Sequence, residues 1–179
     1  MSSTTGNVVD KENYPTPIEH VRTLMRYLRF KSDDTFFEPC YGDHGAIYHE
    51  VPLPNSQKKF AEIRLGLDYL TLPFALVDVI ITNPPFSLTC EFLRKSRSML
   101  KPNGTLIYLQ RVNFLGSNKR VDFWNEFGFP EKLSVLVPRP RFTGGNSDSC
   151  EYAWFIWDEG GRVNLPSGVS NIVCEELLR

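Results

Sequence analysis

The segment that most limits the fold is a run of β-branched residues that stops at two prolines, LVDVIITNPPF over residues 76–86. Such a run is typical of a strand buried on both faces, as in a parallel sheet covered by helices. Pro84 and Pro85 have no N–H and fix φ at about −65°, so we expect the strand to end before them. The turn then offers amide and carbonyl oxygens with few competing donors, which suits a ligand that donates hydrogen bonds.

Helical and extended patterns alternate along the rest of the chain. Thr16, Pro17 and Glu19 fit the N-cap, the first residue and the capping-box partner of a helix. A second helix is predicted over residues 90–100 and is expected to end at the sequence KPNG. The remaining strands are predicted near residue 37 and at residues 60–63, 105–110, 132–137 and 152–157. This alternation predicts an α/β fold with a mostly parallel sheet, in which the last two strands form an antiparallel hairpin at one edge.

Composition narrows the classes of function. The chain has 179 residues and a formal net charge of −1, which fits one domain and argues against a general polycation. Nucleic-acid binding would therefore need a local basic surface. The first dozen residues are polar and no apolar run approaches the ~18 residues of a membrane span, so we expect no signal peptide, no membrane partner and a cytoplasmic location. The four cysteines lack a C-x-x-C pair, which favours a reduced setting without a metal site.

Three turns ahead of the NPPF sequence carry acidic or glycine residues that suit a nucleotide cofactor. Glu38 ends a predicted strand and is followed by Gly42 and Gly45, and glycines let a ligand approach the backbone closely. Glu62 follows about 20 residues later, where dinucleotide-binding folds place an acid on ribose hydroxyls. Asp68 comes next, in the sequence GLDYL. Each feature alone also fits an ordinary turn or a surface charge, so the prediction depends on their order and spacing.

In this order the segments resemble the S-adenosylmethionine-dependent DNA adenine-N6 methyltransferases of the small phage and prophage type. YPTP resembles the family's cofactor-side helix start, EPCYGDHG its glycine-rich methionine-binding loop, GLDYL its adenine-contacting acidic loop and NPPF its catalytic tetrapeptide. The family usually has Gly-x-Gly where this chain has Gly42-Asp43-His44-Gly45, which leaves open which glycine lies against the cofactor. The resemblance extends from residue 13 to about residue 160.

The resemblance implies a Rossmann-like class I methyltransferase fold and a division of the chain. Residues 13–160 are expected to form the catalytic domain, between a flexible N-terminus over residues 1–12 and a C-terminal extension over residues 161–179. No separate target-recognition domain is expected. S-Adenosylmethionine is the implied cofactor. The implied cofactor-binding residues are Tyr14, Thr16, Glu38, Pro39, Cys40, Gly42, Asp43, Gly45, Glu62, Asp68, Tyr69 and Asn83.

Catalysis is expected from Asn83, Pro84, Pro85 and Phe86. The exocyclic nitrogen of adenine is a poor nucleophile because its lone pair is conjugated with the ring. If the Asn83 side-chain oxygen and the Pro84 carbonyl accept its two hydrogens, they stabilise the positive charge that develops during methyl transfer. Phe86 and Phe142 are expected to stack on an adenine that has left the duplex. This chemistry requires no metal and no covalent nucleophile.

DNA contacts are expected from basic residues in loops at the same edge of the sheet, namely Lys119, Arg120, Arg139 and Arg141. The segments between strands are short and contain no inserted domain, which predicts a short or relaxed target sequence or recognition through an accessory subunit. Assembly as a homodimer stays open. The sequence also leaves open an RNA or protein amide methyltransferase, since both share NPPF-like tetrapeptides, and a methyltransferase-like protein that only binds nucleic acid.

Overall fold

Seven strands form one mixed sheet in the computed structural model, which describes residues 14–142 and 149–178. The strands are β1 (Phe36–Glu38), β2 (Lys58–Phe60), β3 (Val77–Thr82), β4 (Leu100–Arg111), β5 (Lys132–Val137), β6 (Tyr152–Asp158) and β7 (Gly168–Val173). The helices are α1 (Ile18–Met25), α2 (Ala46–Glu50), α3 (Thr89–Met99) and α4 (Val121–Phe127). None of the helices in these two ranges has the length and apolarity needed to cross a membrane. The N-terminal segment predicted to be flexible lies outside the described residues.

The strand order across the sheet is β2-β1-β3-β4-β6-β5-β7. β1 pairs in parallel with β2 and β3, and β3 pairs in parallel with β4. β6 runs antiparallel to both β4 and β5, whereas β5 and β7 are parallel. The α/β class and the β5–β6 hairpin are therefore confirmed. Because β1 to β4 run in the same direction, their carboxyl ends meet at one edge of the sheet, where ligands of such folds bind.

Each side of the sheet has its own apolar core, since consecutive residues of a strand face opposite sides. Phe37 and Ile80 face the core that contains α3 and α4. Phe36 and Val79, their neighbours in sequence, face the core that contains α1 and α2. The central strands are thus covered on both sides, as the β-branched run of β3 predicts.

One predicted position in the sheet is wrong: the β5–β6 hairpin does not lie at the edge. β7, from the segment predicted as a C-terminal extension, pairs with all six residues of β5. β7 gives little signal in the sequence because only one of its faces is covered. Ile172 is 1% exposed, whereas Val169 is 75% exposed. A strand of this kind lacks the continuous apolar run that identifies β3.

The boundaries of two strands also differ from the prediction. The strand expected at residues 60–63 ends at Phe60, because the chain turns into a 3₁₀ segment at Ile63–Leu65. β4 begins at Leu100 and includes the sequence KPNG, which was expected only to end the preceding helix. These residues form a bulge, with φ of 60° at Asn103 and a register shift against β3. A bulge of this kind leaves no periodic pattern in the sequence.

The predicted capping box at the start of α1 is wrong as well. Pro17 occupies the N-cap position with φ −61° and ψ 125°, and no side chain caps the helix. The Thr16 hydroxyl is bonded instead to the side-chain amide of Asn83, at the end of β3. A contact across 67 residues of sequence therefore replaces the local bond that the N-terminal pattern favours.

The edge formed by the amino ends of the parallel strands contains a buried ionic network. Arg162, which is 4% exposed, binds both carboxylate oxygens of Asp34 at 2.6 and 2.8 Å. Its guanidinium also donates to the carbonyl of Asn103 in the β4 bulge at 2.7 Å. Asp158 accepts hydrogen bonds from the backbone of Arg162 and from the Thr105 hydroxyl. This network joins the chain before β1, the bulge of β4 and the end of β6.

Candidate active site

A cavity of about 330 Å³ opens at the carboxyl ends of β1, β2 and β3. This volume lies in the range of small-molecule sites, about 300–1,000 Å³. Every residue that the resemblance implied for cofactor binding lines this cavity, from Tyr14 and Thr16 through Glu38, Gly42 and Glu62 to Asn83. Pro85 lines it too, whereas the other two residues predicted for catalysis, Pro84 and Phe86, are not among the lining residues. The topology thus brings together segments that are up to 69 residues apart in sequence.

The two glycines of the turn after β1 have different surroundings. Both adopt positive φ, 68° at Gly42 and 54° at Gly45, a conformation that side chains other than glycine rarely adopt. A Cβ atom added to Gly45 would lie 2.2 Å from the ring of Tyr41, so the space beside Gly45 is filled by the protein itself. A Cβ atom added to Gly42 would have no atom within 4 Å. Gly42 is therefore the glycine beside which a ligand has room.

Glu38 is a buried carboxyl group at the bottom of the cavity. Its Oε2 accepts a hydrogen bond from the backbone N–H of Tyr48, in α2, at 2.8 Å. Burial raises the pKa of Glu38 well above its usual range, and the charge of Glu62 adds to this rise. Burial thus favours the protonated form of Glu38 relative to a carboxyl group in water. A cationic group placed beside Glu38 would favour the ionised form instead.

Glu62 is held by protein donors in a position that faces the cavity. Its Oε2 accepts from the Gly42 N–H at 2.8 Å, and its Oε1 accepts from Nε of Arg64 at 2.8 Å. Burial alone raises the pKa of Glu62, but these hydrogen bonds outweigh that effect, so its pKa is lowered. Arg64 also forms an ion pair with Asp43 and so ties the glycine turn to the end of β2. The sequence prediction missed Arg64, because an arginine in a short turn has no distinguishing pattern.

Three other residues implied for the cofactor reach the cavity in different ways. Asp68 is half-buried, and its Oδ1 accepts from the backbone N–H of Leu70 at 2.9 Å, which shapes the turn. Tyr69 is 2% exposed, and its hydroxyl is bonded to Ser96 within the core, at 2.7 Å. Burial raises the pKa of the Cys40 thiol, so this sulfur stays protonated. Of these three, Asp68 is the one that combines a carboxylate with partial exposure.

The Asn83 side chain has a defined orientation at the end of β3. Its Nδ2 donates to the Tyr14 carbonyl at 2.8 Å and to the Thr16 hydroxyl at 3.1 Å. A carbonyl oxygen can only accept, so the bond to Tyr14 identifies the nitrogen of the amide. Within residues 14–142 and 149–178, no donor is bonded to Asn83 Oδ1 or to the Pro84 carbonyl. Asn83 lines the cavity and keeps capacity to accept from a ligand, whereas Pro84 is buried and is not among the residues that line the cavity.

A cluster of four aromatic rings adjoins these acceptors. The ring of Tyr14 stacks on Phe86 with centroids 5.8 Å apart and planes at 16°. Phe142 contacts Tyr14 edge-on at 5.9 Å and Tyr152 at 4.9 Å. The guanidinium of Arg111 lies 5.1 Å from the centre of the Phe86 ring. Phe86 and Phe142 were predicted from the sequence. Tyr152 was not, because it begins the apolar run of β6, and Arg111, at the end of β4, was expected only to start a loop that could reach DNA.

The four basic residues predicted to contact DNA lie outside the cavity. Lys119 and Arg141 are exposed. Arg120 is placed over the Phe114 ring at 4.2 Å, and Arg139 forms an ion pair with Glu151. The structure thus brings Arg111, rather than these four, next to Phe86.

Comparison with known proteins identifies the fold. The chain matches no protein-family model, and no curated protein sequence matches it. A Listeria monocytogenes protein assigned as a class I S-adenosylmethionine-dependent methyltransferase has a similar structure, with a TM-score of 0.61, 16% identity, and coverage of 93% of this chain and 68% of that one. These values show the fold, which is the Rossmann-like fold of class I methyltransferases, as predicted.

Two other solved structures share this fold. A protein of Vibrio vulnificus assigned as the modification subunit of a type I restriction enzyme gives a TM-score of 0.61 at 16% identity, covering 88% of this chain and 46% of that one. The precorrin-6y C5,15-methyltransferase of Geobacter metallireducens gives 0.58 at 14% identity, covering 84% and 93%. This chain thus spans about half the length of the Vibrio subunit.

Proposed function

We propose that this protein transfers a methyl group from S-adenosylmethionine to the exocyclic N6 of adenine in DNA. The observation that carries the proposal is the orientation of Asn83, whose amide nitrogen is bonded to Tyr14 and Thr16 while its oxygen has no donor among the described residues. The Pro84 carbonyl next to it adds a second acceptor, and proline has no N–H to compete. Such a pair suits a planar amino group, which donates two hydrogens.

The residues around the cavity fit S-adenosylmethionine. Gly42 leaves space beside the backbone, as a ligand that approaches the turn closely requires. Glu62 receives three N–H donors from Gly42 and Arg64, and a carboxylate accepts about four, so one position stays available for a ribose hydroxyl. Glu38 would face the cationic part of the cofactor, and Asp68 its adenine amino group. When bound, S-adenosylmethionine supplies an electrophilic methyl group.

The chain's own residues account for activation of the amino group. Asn83 Oδ1 and the Pro84 carbonyl would each accept one hydrogen from the adenine nitrogen and so orient its lone pair. Positive charge develops on that nitrogen as the new bond forms, and fixed acceptors stabilise it more than the neutral ground state. Both acceptors are set before the substrate arrives, since Pro84 and Pro85 restrict the backbone and two hydrogen bonds hold the Asn83 amide.

The aromatic cluster supports a nucleobase as the substrate. Enzymes that modify a base in a duplex take it out of the stack and hold it against aromatic side chains. Phe86 and Phe142 lie in one cluster with Tyr14 and Tyr152. Tyr14 connects this cluster to Asn83, because its carbonyl accepts from the Asn83 amide. The base would stack here, with the Arg111 guanidinium over the Phe86 ring from the side of β4.

Specificity would be short or relaxed, or would depend on another subunit. Exposed Lys119 and Arg141 can contact phosphates, which gives affinity without sequence information. The Vibrio neighbour, a modification subunit of which this chain spans 46%, supports the involvement of additional protein in recognition. Within residues 14–142 and 149–178, the segments at the carboxyl edge that could read bases are loops, among them residues 111–120 and 138–142.

Incubation of the purified protein with labelled S-adenosylmethionine and a choice of duplex DNA, RNA and peptide tests the proposal. We expect label in DNA, and mass spectrometry of the digested DNA to show N6-methyladenine. If only RNA or only peptide is labelled, that molecule is the substrate and the proposal of DNA is wrong. If calorimetry shows no binding of S-adenosylmethionine, the remaining hypothesis is a methyltransferase-like protein that only binds nucleic acid.

A further inference from the structure

The first described residues form a strap across the catalytic amide. This N-terminal strap, residues 14–17 with the sequence YPTP, gives Asn83 two hydrogen-bond partners, the Tyr14 carbonyl and the Thr16 hydroxyl. An amide nitrogen has two hydrogens, so both are used within the protein. The strap lies 67 to 69 residues before Asn83 in the sequence, so its contact is made by the fold and not by local geometry.

The sequence of the strap explains why it stays extended. Pro15 and Pro17 fix φ at every second residue, and the residue before a proline is restricted to extended conformations. Pro17 has φ −61° and ψ 125°, so α1 starts only at Ile18. The Thr16 hydroxyl therefore does not cap α1 and is available to Asn83. At the other end the Tyr14 ring stacks on Phe86, which anchors the strap to the turn that follows Asn83.

The direction of the Asn83 amide decides whether it helps or hinders a substrate amino group. With Oδ1 toward the substrate the side chain accepts a hydrogen, whereas the flipped amide presents two N–H donors to a group that also donates. The Tyr14 carbonyl excludes the flipped form because it cannot donate. The Thr16 hydroxyl supplies the second bond, which fixes rotation about the last side-chain torsion.

We propose that Thr16 is a positioning residue that acts on methyl transfer through Asn83. This inference rests on the proposed function and adds to it a role that differs from the cofactor contact implied by the resemblance. The two roles predict different defects. A cofactor contact would change the affinity for S-adenosylmethionine, whereas a positioning role changes the rate of the bound complex.

Three variants separate these roles. Thr16→Val keeps the shape of the side chain and removes the hydroxyl, and Thr16→Ser restores the hydroxyl without the methyl group. Thr23→Val is the matched control, since Thr23 is a buried threonine of α1 whose hydroxyl donates to the Glu19 carbonyl and lies outside the cavity lining. Thermal melting of all three establishes that each is folded before its rate is compared.

Single-turnover methylation at saturating S-adenosylmethionine is the first readout. We expect Thr16→Val to be about three- to tenfold slower than wild type, the change that one neutral hydrogen bond provides. Cofactor affinity by calorimetry should stay within about twofold, and Thr16→Ser and Thr23→Val should react at the wild-type rate. A weaker affinity with an unchanged saturated rate would assign Thr16 to the cofactor and overturn the proposal. A rate for Thr16→Ser as low as that of Thr16→Val would also overturn it.

The second readout needs no turnover. The side-chain NH₂ signals of Asn83 in NMR spectra, identified by their loss in Asn83→Asp, should exchange with water faster in Thr16→Val than in Thr23→Val. Equal exchange in the two variants would overturn the hydrogen-bond role. If exchange changes as expected but the wild-type protein methylates no substrate, the proposed function fails while the contact stands. If the wild type methylates DNA and Thr16→Val matches its rate, the inference alone fails.

Discussion

The two edges of the sheet use polar groups in opposite ways. At the amino edge, Asp34 and Asp158 are buried but receive several donors each, from Arg162, Thr105 and the backbone. At the carboxyl edge, Glu38 is equally buried but accepts one hydrogen bond from the described residues, and Asn83 Oδ1 accepts none from them. Buried groups with all their partners stabilise a fold, whereas acceptors with unused capacity can bind a ligand that donates. The amino edge thus holds the sheet together, and the carboxyl edge is set for binding.

The largest expected effect is at the amino edge. Arg162→Met removes the partner of Asp34, which is 2% exposed, and leaves a buried carboxylate without its counter-charge. The free energy of unfolding, measured with urea, should fall by about 3–5 kcal/mol. Arg26→Met is the control, because the Arg26–Glu176 pair is exposed and such pairs contribute about 1 kcal/mol or less. An equal loss of unfolding free energy in the two variants would show that the buried Arg162–Asp34 pair contributes no more than an exposed pair.

The next largest effect is expected at the carboxyl edge, where a substitution should change the rate of methylation and not the stability of the fold. If Asn83 accepts from the substrate amino group, as proposed, Asn83→Ala should slow single-turnover methylation by roughly 10² or more. Stability and cofactor affinity should stay close to wild type, because Asn83 is half-buried and acts mainly in the transition state. Asn171→Ala on exposed β7 serves as the control. If Asn83→Ala methylates at the wild-type rate, the carboxyl edge does not have the catalytic role proposed for it.

A smaller effect is expected for Glu62, which belongs to the carboxyl edge but is held by several donors. Glu62→Gln loses the charge that Arg64 and the Gly42 N–H bind, so affinity for S-adenosylmethionine should weaken by about 1–3 kcal/mol in calorimetry. Because the pKa of Glu62 lies below its usual value, wild-type affinity should not decline through Glu62 titration between pH 8 and pH 5. Glu126→Gln, in an exposed pair with Arg94, is the control. Equal affinity of both variants would remove Glu62 from the site.

The smallest effect concerns pH and a histidine that belongs to neither edge. Burial lowers the pKa of His20, on α1, and the charge of Glu19 only partly offsets this. Below the ordinary pKa of about 6.5, the unfolded chain takes up a proton that the native protein does not. The free energy of unfolding should therefore decline as pH falls, by at most ~1.4 kcal/mol per pH unit.

Comparison of His20→Leu with wild type between pH 6.5 and 5 checks this prediction, since the variant should have a flatter profile. Glu38, whose pKa is raised, acts in the opposite direction but contributes equally to both proteins, so the difference isolates His20. A profile of His20→Leu parallel to that of wild type would mean that His20 does not titrate on unfolding.

The sequence predicted the parts of the molecule that depend on local patterns. β3 is recognisable because buried β-branched residues stop at prolines, and the carboxyl-edge site follows from the rule that parallel strands end together. The order of Glu38, Glu62, Asp68 and Asn83 along the chain was therefore enough to place them around one cavity.

The sequence could not predict contacts made only in three dimensions. Arg64 acquires its position from Glu62 and Asp43, which its own neighbours in sequence do not indicate. Thr16 fits an N-cap by its sequence pattern. In the folded chain, however, its hydroxyl accepts a hydrogen bond from the side-chain amide of Asn83. β7 was not predicted for another reason: a strand covered on one face has no continuous apolar run. Tertiary contacts here override local preferences, as is common where a fold builds a site.

The place of β7 in the sheet has a consequence for the order of synthesis. β1 to β6, with the whole carboxyl edge, are made before Gly168–Val173 leaves the ribosome. Until then β5 has unpaired N–H and C=O groups along one side, and an open strand of this kind is a template for other chains. The residues that form the carboxyl-edge cavity are thus made before β7, and Lys132–Val137 stays an open strand edge until β7 pairs with it.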